Sequence, residues 1–377
     1  MAIFAATNKG TTIESTDINY RHRMKNILLA TFLLVNAFAL FASNNDTYYK
    51  ASDKRFSYMG RGDFSNPDHP RFWTAAAQVS FSFKGAKCTI DLTDEHLYGK
   101  NLNYIVLVVD GKYSRFKLPA TENTLSVGDN LKDTIHTVVL CKCTETNIGY
   151  IQFNGVTCRE LLQHPTPPKR KIECFGNSIT CGTGSDQSLV ACGKGDWQDQ
   201  HNAYLSYGAL TARALNAQYH LTSVSGIGLI HSCCDMDIVM PQVYDKISLR
   251  ENKLTWNFAL YQPDVVTICL GQNDGIQNKE KFCIAYIDLI QKLRKVYPRT
   301  RFVLLTSPMA DDKLLPVLKD YLTTVENAMH KSGDKRVTKF FFSRSYNSGC
   351  DAHPDLKEHE LIAKELTDYL RQLMHWQ

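Results

Sequence analysis

Between residues 48 and 157, short runs of the chain alternate apolar and polar positions. These runs are QVSFSFKG, KCTIDL, NYIVLVVDGKYSRFKL, HTVVLCKC and GYIQFNGV. A period of two is typical of strands that bury one face. Asp110-Gly111 separates two such runs and indicates a tight hairpin. Because no amphipathic helix pattern interrupts the region, residues 46–165 are predicted to form an all-β sandwich.

The pattern changes after the proline-rich segment HPTPPKRK, residues 164–171. Continuous apolar strands then alternate with longer helical periods. The predicted strands are KIECF, AQYHLTSVS, DVVTICL, RFVLLTS and VTKFFF, and the predicted helices are AYLSYGALTARAL, EKFCIAYIDLIQKLRKVY, LLPVLKDYLTTVENAMHK and PDLKEHELIAKELTDYLRQLM. Apolar strands that alternate with helices predict a parallel sheet covered on both faces. Residues 169–377 are therefore predicted to be a three-layer α/β domain with a central parallel sheet.

The beginning of the chain has a third pattern. Met24 and Lys25 precede an apolar run from Ile27 to Ala42. A positive start followed by an apolar run and small residues is typical of a secretory signal peptide. The run is shorter than the roughly 20 residues of a membrane span. We predict a signal peptide at residues 24–42, a non-functional segment at 1–23, and a secreted or periplasmic protein with no stable membrane insertion; a short signal anchor is the alternative.

Charge and cysteine content narrow the function classes. The net charge is +5, but the lysines and arginines are scattered and form no basic stripe with aromatics, so nucleic-acid binding is not favoured. The twelve cysteines have no zinc spacing, and no metal or cofactor is predicted. Cys181 and Cys192 flank a glycine-rich loop and are candidates for a disulfide. Cys174 and Cys269 lie in apolar strands and are expected to be buried free thiols.

Four of the predicted parallel strands are followed by residue types that suit acyl transfer. Ser178 follows KIECF, Gly226 follows AQYHLTSVS, Asn273 follows DVVTICL, and His353 follows VTKFFF after a short loop. In parallel sheets the reactive groups collect beyond the carboxyl ends of the strands. We therefore expect these four residues to meet at one edge, although each alone could be a turn or capping residue.

The expected roles follow from the chemistry of each group. A serine hydroxyl is a poor nucleophile until an imidazole takes its proton, so Ser178 is paired with His353. Asp351 is expected to bind the other ring nitrogen of His353. Pro354 is expected at the first position of the last helix, where proline is favoured, so that the helix fixes the histidine.

Two further sets of residues complete the predicted site. The backbone N–H groups of Ser178 and Gly226 and the side-chain amide of Asn273 are candidate donors to an oxyanion. Trp197, in the loop KGDWQDQHN, is a candidate platform for a sugar ring, and Asp274 is a second candidate substrate-binding residue. A packing role for Trp197 and a helix-capping role for Asp274 are the alternatives.

The blocks FGNSIT, SVSGIG, LGQND and DAHPD, in this order, resemble the SGNH (GDSL-type) hydrolase superfamily. Together with the preceding sandwich, they resemble carbohydrate esterase family 2, whose members join a jelly-roll domain to an SGNH domain and deacetylate plant polysaccharides. The sequence departs from the superfamily at Asn177, where an acid usually precedes the serine, and at Cys350, where an acid often lies three residues before the histidine. The spacing of Asp351 is also seen in family 2.

The resemblance implies a metal-independent serine esterase, similar to acetylxylan esterases, that removes acetyl groups from a polysaccharide or oligosaccharide through an acyl-enzyme. A secreted glycan-binding protein with an inert hydrolase half is the first alternative, with sandwich aromatics Phe64, Phe72 and Trp73 as its binding face. A lipase or thioesterase on the same scaffold is less favoured, since no long apolar lid segment separates the blocks.

Overall fold

A computed structural model describes residues 46–128 and 130–376. The predicted signal peptide at 24–42 and the segment 1–23 lie outside these described residues. Among the described residues, none of the helices has the length and apolar character needed to cross a membrane.

The first half of the described chain is an antiparallel β domain, and it confirms the all-β prediction. Its nine strands pair in the order β1-β9-β4-β8-β5-β6, with β2 and β7 joined to β4 and β3 joined to β9. The strands are β1 (Thr47–Lys50), β2 (Ser57–Met59), β3 (Arg71–Phe72), β4 (Gln78–Asp94), β5 (Tyr104–Val109), β6 (Lys112–Lys117), β7 (Glu122–Ser126), β8 (Thr134–Lys142) and β9 (Ile151–Leu162).

Strand β4 joins two runs that the sequence pattern treats as separate strands. Its first part pairs with β8 and its second part with β7, and its register against β9 shifts between Lys84 and Cys88. Gly85, with φ of 145°, lies at this shift. One extra-long strand therefore bends and serves both parts of the domain. The hairpin prediction is confirmed, because Asp110 and Gly111 form a two-residue turn with φ of 50° and 81° between β5 and β6.

The second half contains the predicted parallel sheet. Its five strands lie in the order β11-β10-β14-β15-β16, and all four pairs are parallel. A two-stranded hairpin, β12-β13, lies outside this sheet. The strands are β10 (Arg170–Gly176), β11 (Ala217–Ser223), β12 (Lys246–Ser248), β13 (Lys253–Thr255), β14 (Val265–Ile268), β15 (Arg301–Leu305) and β16 (Val337–Phe340).

Helices cover both faces of the parallel sheet, which confirms the three-layer arrangement. The helices are α1 (Ser178–Cys181), α2 (Tyr207–Ala214), α3 (Met240–Val243), α4 (Lys279–Val296), α5 (Leu314–Lys331) and α6 (Leu356–Met374). Buried side chains of α2 and α6 share one core with one face of the sheet. Those of α4 and α5 share a second core with the opposite face. Burial on both faces explains why the strands are continuously apolar.

The start of α6 differs from the prediction. Pro354 does not occupy the first helical position, because the helix begins at Leu356 and Asp355 is its N-cap. The Asp355 carboxylate accepts the N–H of Glu358 at 2.8 Å, which satisfies a free donor of the first turn. His353 therefore lies in the turn before the helix and is not part of it.

The two halves are joined by a buried ion pair. Arg61, between β2 and β3, and Glu173, in β10, are both fully buried. Arg61 donates from Nε and Nη2 to Glu173 Oε1 at 3.1 and 2.8 Å, and from Nη1 to the carbonyls of Tyr244 and Lys246 at 2.7 and 2.9 Å. The halves also share one hydrophobic core across their interface. Because this core spans both halves, it draws no dividing line between them, and the domain boundaries at 46–165 and 169–377 stay a prediction.

We expect Arg61→Ala to lower the free energy of unfolding by about 3–5 kcal/mol, because it leaves the Glu173 carboxylate buried without its cation. Guanidinium-induced unfolding, followed by far-ultraviolet circular dichroism, measures the change. Lys364→Ala is the control, since Lys364 pairs with Asp368 on the surface and its side chain is 74% exposed. Equal midpoints for the two variants would contradict a fixing role for Arg61.

Candidate active site

Ser178 begins α1 directly beyond the carboxyl end of β10. Asn177 is in extended conformation and caps this short helix, with its Oδ1 accepting the N–H of Ile179 at 3.2 Å. A Cβ on Gly176 would lie 2.0 Å from Thr180 Oγ1, so the close approach of α1 to the end of β10 favours glycine at this position. Asn177 thus supplies the capping oxygen at the position where the superfamily usually has an acid.

The structure brings Ser178 and His353 together, although they are 175 residues apart in the chain. Ser178 Oγ lies 2.8 Å from His353 Nε2. His353 Nδ1 lies 3.2 Å from the carbonyl oxygen of Cys350. A carbonyl can only accept a hydrogen bond, so Nδ1 carries the proton and Nε2 is the acceptor for the serine O–H. This is the geometry that proton transfer from serine to histidine requires.

Burial lowers the pKa of His353 below its ordinary value of 6.5, and this effect outweighs the Cys350 carbonyl and the Asp351 charge, which both raise that pKa. The imidazole is therefore neutral at neutral pH and able to accept a proton. His359, fully buried nearby, has its pKa lowered to about 3 by burial, with a smaller contribution from His353.

Asp351 does not make the contact that the sequence predicted. Its side chain is exposed, and its backbone is left-handed, with φ of 51°. Within the described chain, its carboxylate forms no hydrogen bond to His353, whose Nδ1 is bound by the Cys350 carbonyl instead. The Asp351 charge and a hydrogen bond to its backbone both raise the pKa of His353, without a contact from the carboxylate to the ring.

The three candidate oxyanion donors follow neighbouring strands. Ser178 follows β10, Gly226 follows β11 and Asn273 follows β14, and β10 is the strand between the other two. Chain order reverses direction at β10, which is where α/β sheets form their ligand crevice. The amide of Asn273 donates one N–H to the Ile227 carbonyl at 2.8 Å, and this bond ties it to the Gly226 turn. Its second N–H is left for another acceptor.

Asp274 has contacts that favour a structural role, and its predicted contact with substrate stays a prediction. Its side chain is only 3% exposed, and its carboxylate accepts the backbone N–H groups of Leu229, Ile230 and His231 at 2.7 to 3.0 Å. Both carboxylate oxygens accept from this loop. Asp274 therefore fixes the segment that follows Gly226.

A cleft of about 660 Å³ opens beside the Gly226 turn. Trp197 lies on its wall and is 44% exposed, with its ring edge-to-face against the buried His201. Tyr98, from the β domain, lines the same cleft and is 69% exposed. Its hydroxyl accepts a hydrogen bond from Arg250 at 2.5 Å. Tyr98 could not be predicted as a cleft residue, since nothing in its local sequence pattern links it to a loop of the other half.

The disulfides also differ from the prediction. Cys192 is bonded to Cys350 and not to Cys181. Cys181 is a buried free thiol, as are Cys174 and Cys269, which confirms the prediction for those two. The adjacent residues Cys233 and Cys234 form a second disulfide, in the loop that lines the cleft. Within residues 46–128 and 130–376, no His, Cys, Asp and Glu side chains gather in a group that could hold a metal ion.

Two family models match this chain and, with the fold, define its class. Residues 174–343 match the GDSL-like Lipase/Acylhydrolase family. Residues 58–168 match the carbohydrate esterase 2 N-terminal family. The protein is a carboxylic ester hydrolase with an SGNH domain behind an antiparallel β domain.

Comparison with individual proteins gives the family. The chain is 33% identical to cellulase/esterase CelE of Acetivibrio thermocellus over 85% of this chain, but it spans only 39% of that protein. It is 27% identical to an acetylxylan esterase / glucomannan deacetylase of Cellvibrio japonicus, covering 93% of this chain and 99% of the relative. A family two carbohydrate esterase from Clostridium thermocellum, solved with cellohexaose, aligns at 32% identity with a TM-score of 0.78, covering 85% of this chain and 100% of that one. The chain belongs to carbohydrate esterase family 2.

The state of His353 generates a pH prediction. Because a neutral imidazole is required, we expect kcat/KM to fall on the acid side with a midpoint below pH 6.5. Asp351→Asn removes a charge that raises this pKa, so the midpoint should move further down, with kcat at pH 7.5 within about threefold of wild type. Initial rates on 4-nitrophenyl acetate from pH 4.5 to 8.5 measure both quantities.

Asp368→Asn, an exposed acid in α6, is the control for general charge effects. A midpoint that rises in Asp351→Asn would contradict the assigned charge effect, and a loss of kcat above a hundredfold would show that Asp351 binds the imidazole directly during the reaction.

Proposed function

We propose that the protein is a secreted serine esterase that removes O-acetyl groups from plant cell-wall polysaccharides, such as xylan or glucomannan, through an acyl-enzyme intermediate. The observation that carries the proposal is the 2.8 Å contact between Ser178 Oγ and His353 Nε2. A hydroxyl bonded to the free nitrogen of a neutral, oriented imidazole is an activated nucleophile.

The reaction begins when Ser178 Oγ attacks the acetyl carbonyl and His353 Nε2 takes the hydroxyl proton. The imidazolium that forms is stabilised at Nδ1 by the Cys350 carbonyl and by the charge of Asp351. The N–H groups of Ser178 and Gly226 and the free N–H of Asn273 receive the negative oxygen. His353 then gives its proton to the sugar oxygen as the bond between that oxygen and the acetyl carbon breaks, and the sugar leaves with a free hydroxyl. In the second half, a water attacks the acetyl-serine while His353 takes one water proton. His353 returns this proton to Ser178 Oγ as the acyl bond breaks, and acetate leaves.

The cleft supports a sugar substrate. Trp197 and Tyr98 present exposed aromatic rings in the cleft that Gly226 lines, so a chain bound between them would place its acetyl group near the proposed oxyanion donors. The curated relative from Cellvibrio japonicus carries the name acetylxylan esterase / glucomannan deacetylase, which supports these two polysaccharides as substrates. The signal pattern at residues 24–42 supports export to the medium or the periplasm.

We expect Ser178→Ala to abolish acetate release from acetylated xylan and glucomannan, because it removes the hydroxyl that is bonded to His353 Nε2 and forms the acyl-enzyme. Residual activity should be at least a thousandfold below wild type, on the order of the loss when a catalytic nucleophile is removed. Enzymatic detection of released acetate measures it. Thr183→Ser, a conservative change just beyond α1, is the control. Undiminished turnover in Ser178→Ala would remove Ser178 from the mechanism, and glycan binding by the wild type without release would favour a binding protein.

Trp197→Ala should raise KM for acetylated polysaccharide by about three- to tenfold, since stacking on one aromatic ring is worth on the order of 1 kcal/mol. KM for 4-nitrophenyl acetate should stay unchanged, because this small ester does not reach Trp197. Leu189→Ala is a matched control, as Leu189 is 53% exposed in the same loop region. Equal changes on both substrates would show that Trp197 acts only in packing.

A further inference from the structure

Glu145 is a fully buried carboxylate of the β domain that belongs to none of the sequence motifs. It follows β8 and precedes a three-residue 3-10 helix, Thr146–Ile148. Burial raises the pKa of Glu145, which the hydrogen bonds from Ser225 and Cys181 and the charge of Lys142 oppose. Burying a carboxylate is costly unless its oxygens find donors, so the donors show what the residue holds in place.

Both oxygens of Glu145 are bound by identifiable groups. Oε2 accepts the backbone N–H of Ser225 at 2.6 Å and lies 3.3 Å from Cys181 Sγ. Oε1 accepts the side-chain amide of Asn147 at 3.3 Å. The first two groups belong to the parallel-sheet half of the protein. A single carboxylate oxygen of the β domain therefore contacts two segments of the other half at once.

These two segments carry the proposed catalytic groups. Ser225 directly precedes Gly226, whose N–H is a proposed oxyanion donor. Cys181 is the last residue of α1, the four-residue helix that begins with Ser178. The Ser225 hydroxyl also lies 2.8 Å from Thr183 Oγ1, just beyond α1. The Gly226 turn and α1 are thus connected to each other, with Glu145 between them.

The surroundings hold the carboxylate itself in position. Lys142 Nζ, fully buried, donates to the carbonyls of Thr144 and Glu145 at 2.8 and 3.0 Å. Burial lowers the pKa of Lys142 to about 8, although the charges of Asp94 and Glu145 raise that pKa. Thr144 Oγ1 is bonded in turn to Asn103 at 2.5 Å. The backbone around Glu145 is therefore anchored deep in the β domain, so its side chain has a fixed point from which to act.

We propose that Glu145 is a positioning residue of the hydrolase: it sets the Gly226 N–H at the correct distance from Ser178 Oγ, by holding the Ser225 N–H and α1 from the same oxygen. The inference rests on the proposed esterase function, since it concerns the same site. The N-terminal β domain is then required for the chemical step as well as for substrate binding. A misplacement of about 1 Å in such a site costs on the order of a hundredfold in rate.

Three variants test this in the full chain. Glu145→Ala removes both contacts. Glu145→Gln keeps a side-chain oxygen that accepts the Ser225 N–H. Glu95→Gln is the matched control, because Glu95 is a glutamate of the same domain whose Oε2 also accepts one backbone N–H, from Tyr150, at 2.9 Å. The readouts are kcat and KM for 4-nitrophenyl acetate, thermal unfolding, and the second-order rate at which a fluorophosphonate probe labels Ser178.

We expect Glu145→Ala to lower kcat by about thirtyfold or more with KM within about threefold, and to slow fluorophosphonate labelling in parallel, because both reactions need the serine and the oxyanion donors in register. Glu145→Gln should recover most of that loss, and Glu95→Gln should match wild type. A kcat in Glu145→Ala within threefold of Glu95→Gln would overturn the proposal. So would a loss in Glu145→Gln as large as in Glu145→Ala.

If Glu145→Ala does not fold, Glu145→Asp is the variant that tests the proposal. Its side chain keeps the charge but is one methylene shorter, so its oxygens lie further from the Ser225 N–H. Folded Glu145→Asp with wild-type kcat and labelling rate would overturn the proposal, and a selective loss of both would support it. Failure of the proposed esterase function can be distinguished from failure of the role proposed for Glu145. If wild-type protein releases no acetate from acetylated glycans, the labelling rates still rank the variants and test the role of Glu145.

Discussion

The buried contact between Arg61 and Glu173 is the constraint on which the arrangement of this protein depends. Two charges removed from water are tolerated only when every donor and acceptor is used. Glu173 meets this requirement, because besides Arg61 it accepts the hydroxyls of Thr222 at 2.6 Å and Tyr297 at 2.5 Å. Glu173 lies in β10, the strand that leads directly into Ser178. The β domain therefore fixes the strand that carries the nucleophile.

The same domain also builds part of the cleft. Arg115, in β6, donates to the carbonyls of His201 and Asp199 at 3.1 and 2.6 Å. Lys117 pairs with Asp196 at 2.7 Å and with Asp199 at 3.1 Å. These contacts hold the loop of Trp197 from outside the hydrolase half. Strand β10, the Gly226 turn and the Trp197 loop are thus all contacted by the β domain. The β domain therefore supports three parts of the proposed site.

Much of the fold could be predicted from the sequence, because the two hydrophobic periods differ. The alternation of apolar and polar residues before residue 165 predicts strands that bury one face. The continuous apolar strands after it predict a sheet covered by helices on both faces. The convergence of Ser178, Gly226, Asn273 and His353 at one edge also follows from the sequence, since each comes after a parallel strand. The parallel strand arrangement places these residues at the same edge of the sheet, so their proximity can be predicted before any side-chain contact is known.

The predictions for the Cys181–Cys192 disulfide and for Pro354 were wrong, and those for Asp351 and Asp274 depend on the direction of a single side chain. Asp351 has suitable spacing from His353, but a left-handed backbone angle turns it outward, and no pattern of residue types encodes that angle. Asp274 has the right neighbours, yet it faces three backbone N–H groups of the adjacent loop. The role proposed for Glu145 depends on a contact with Ser225, 80 positions away in the chain. Local patterns cannot specify such pairings.

The bond between Cys192 and Cys350 has a topological consequence. It closes a covalent ring across a sequence separation of 158 residues, and the ring contains β11, β14, β15 and β16. Strand β10 lies outside the ring but is hydrogen-bonded between β11 and β14. A protease that cuts the ring once opens it without releasing either piece, so Ser178 and His353 stay on one covalent framework. In a reducing solution that tether is lost, and the first cut divides the polypeptide.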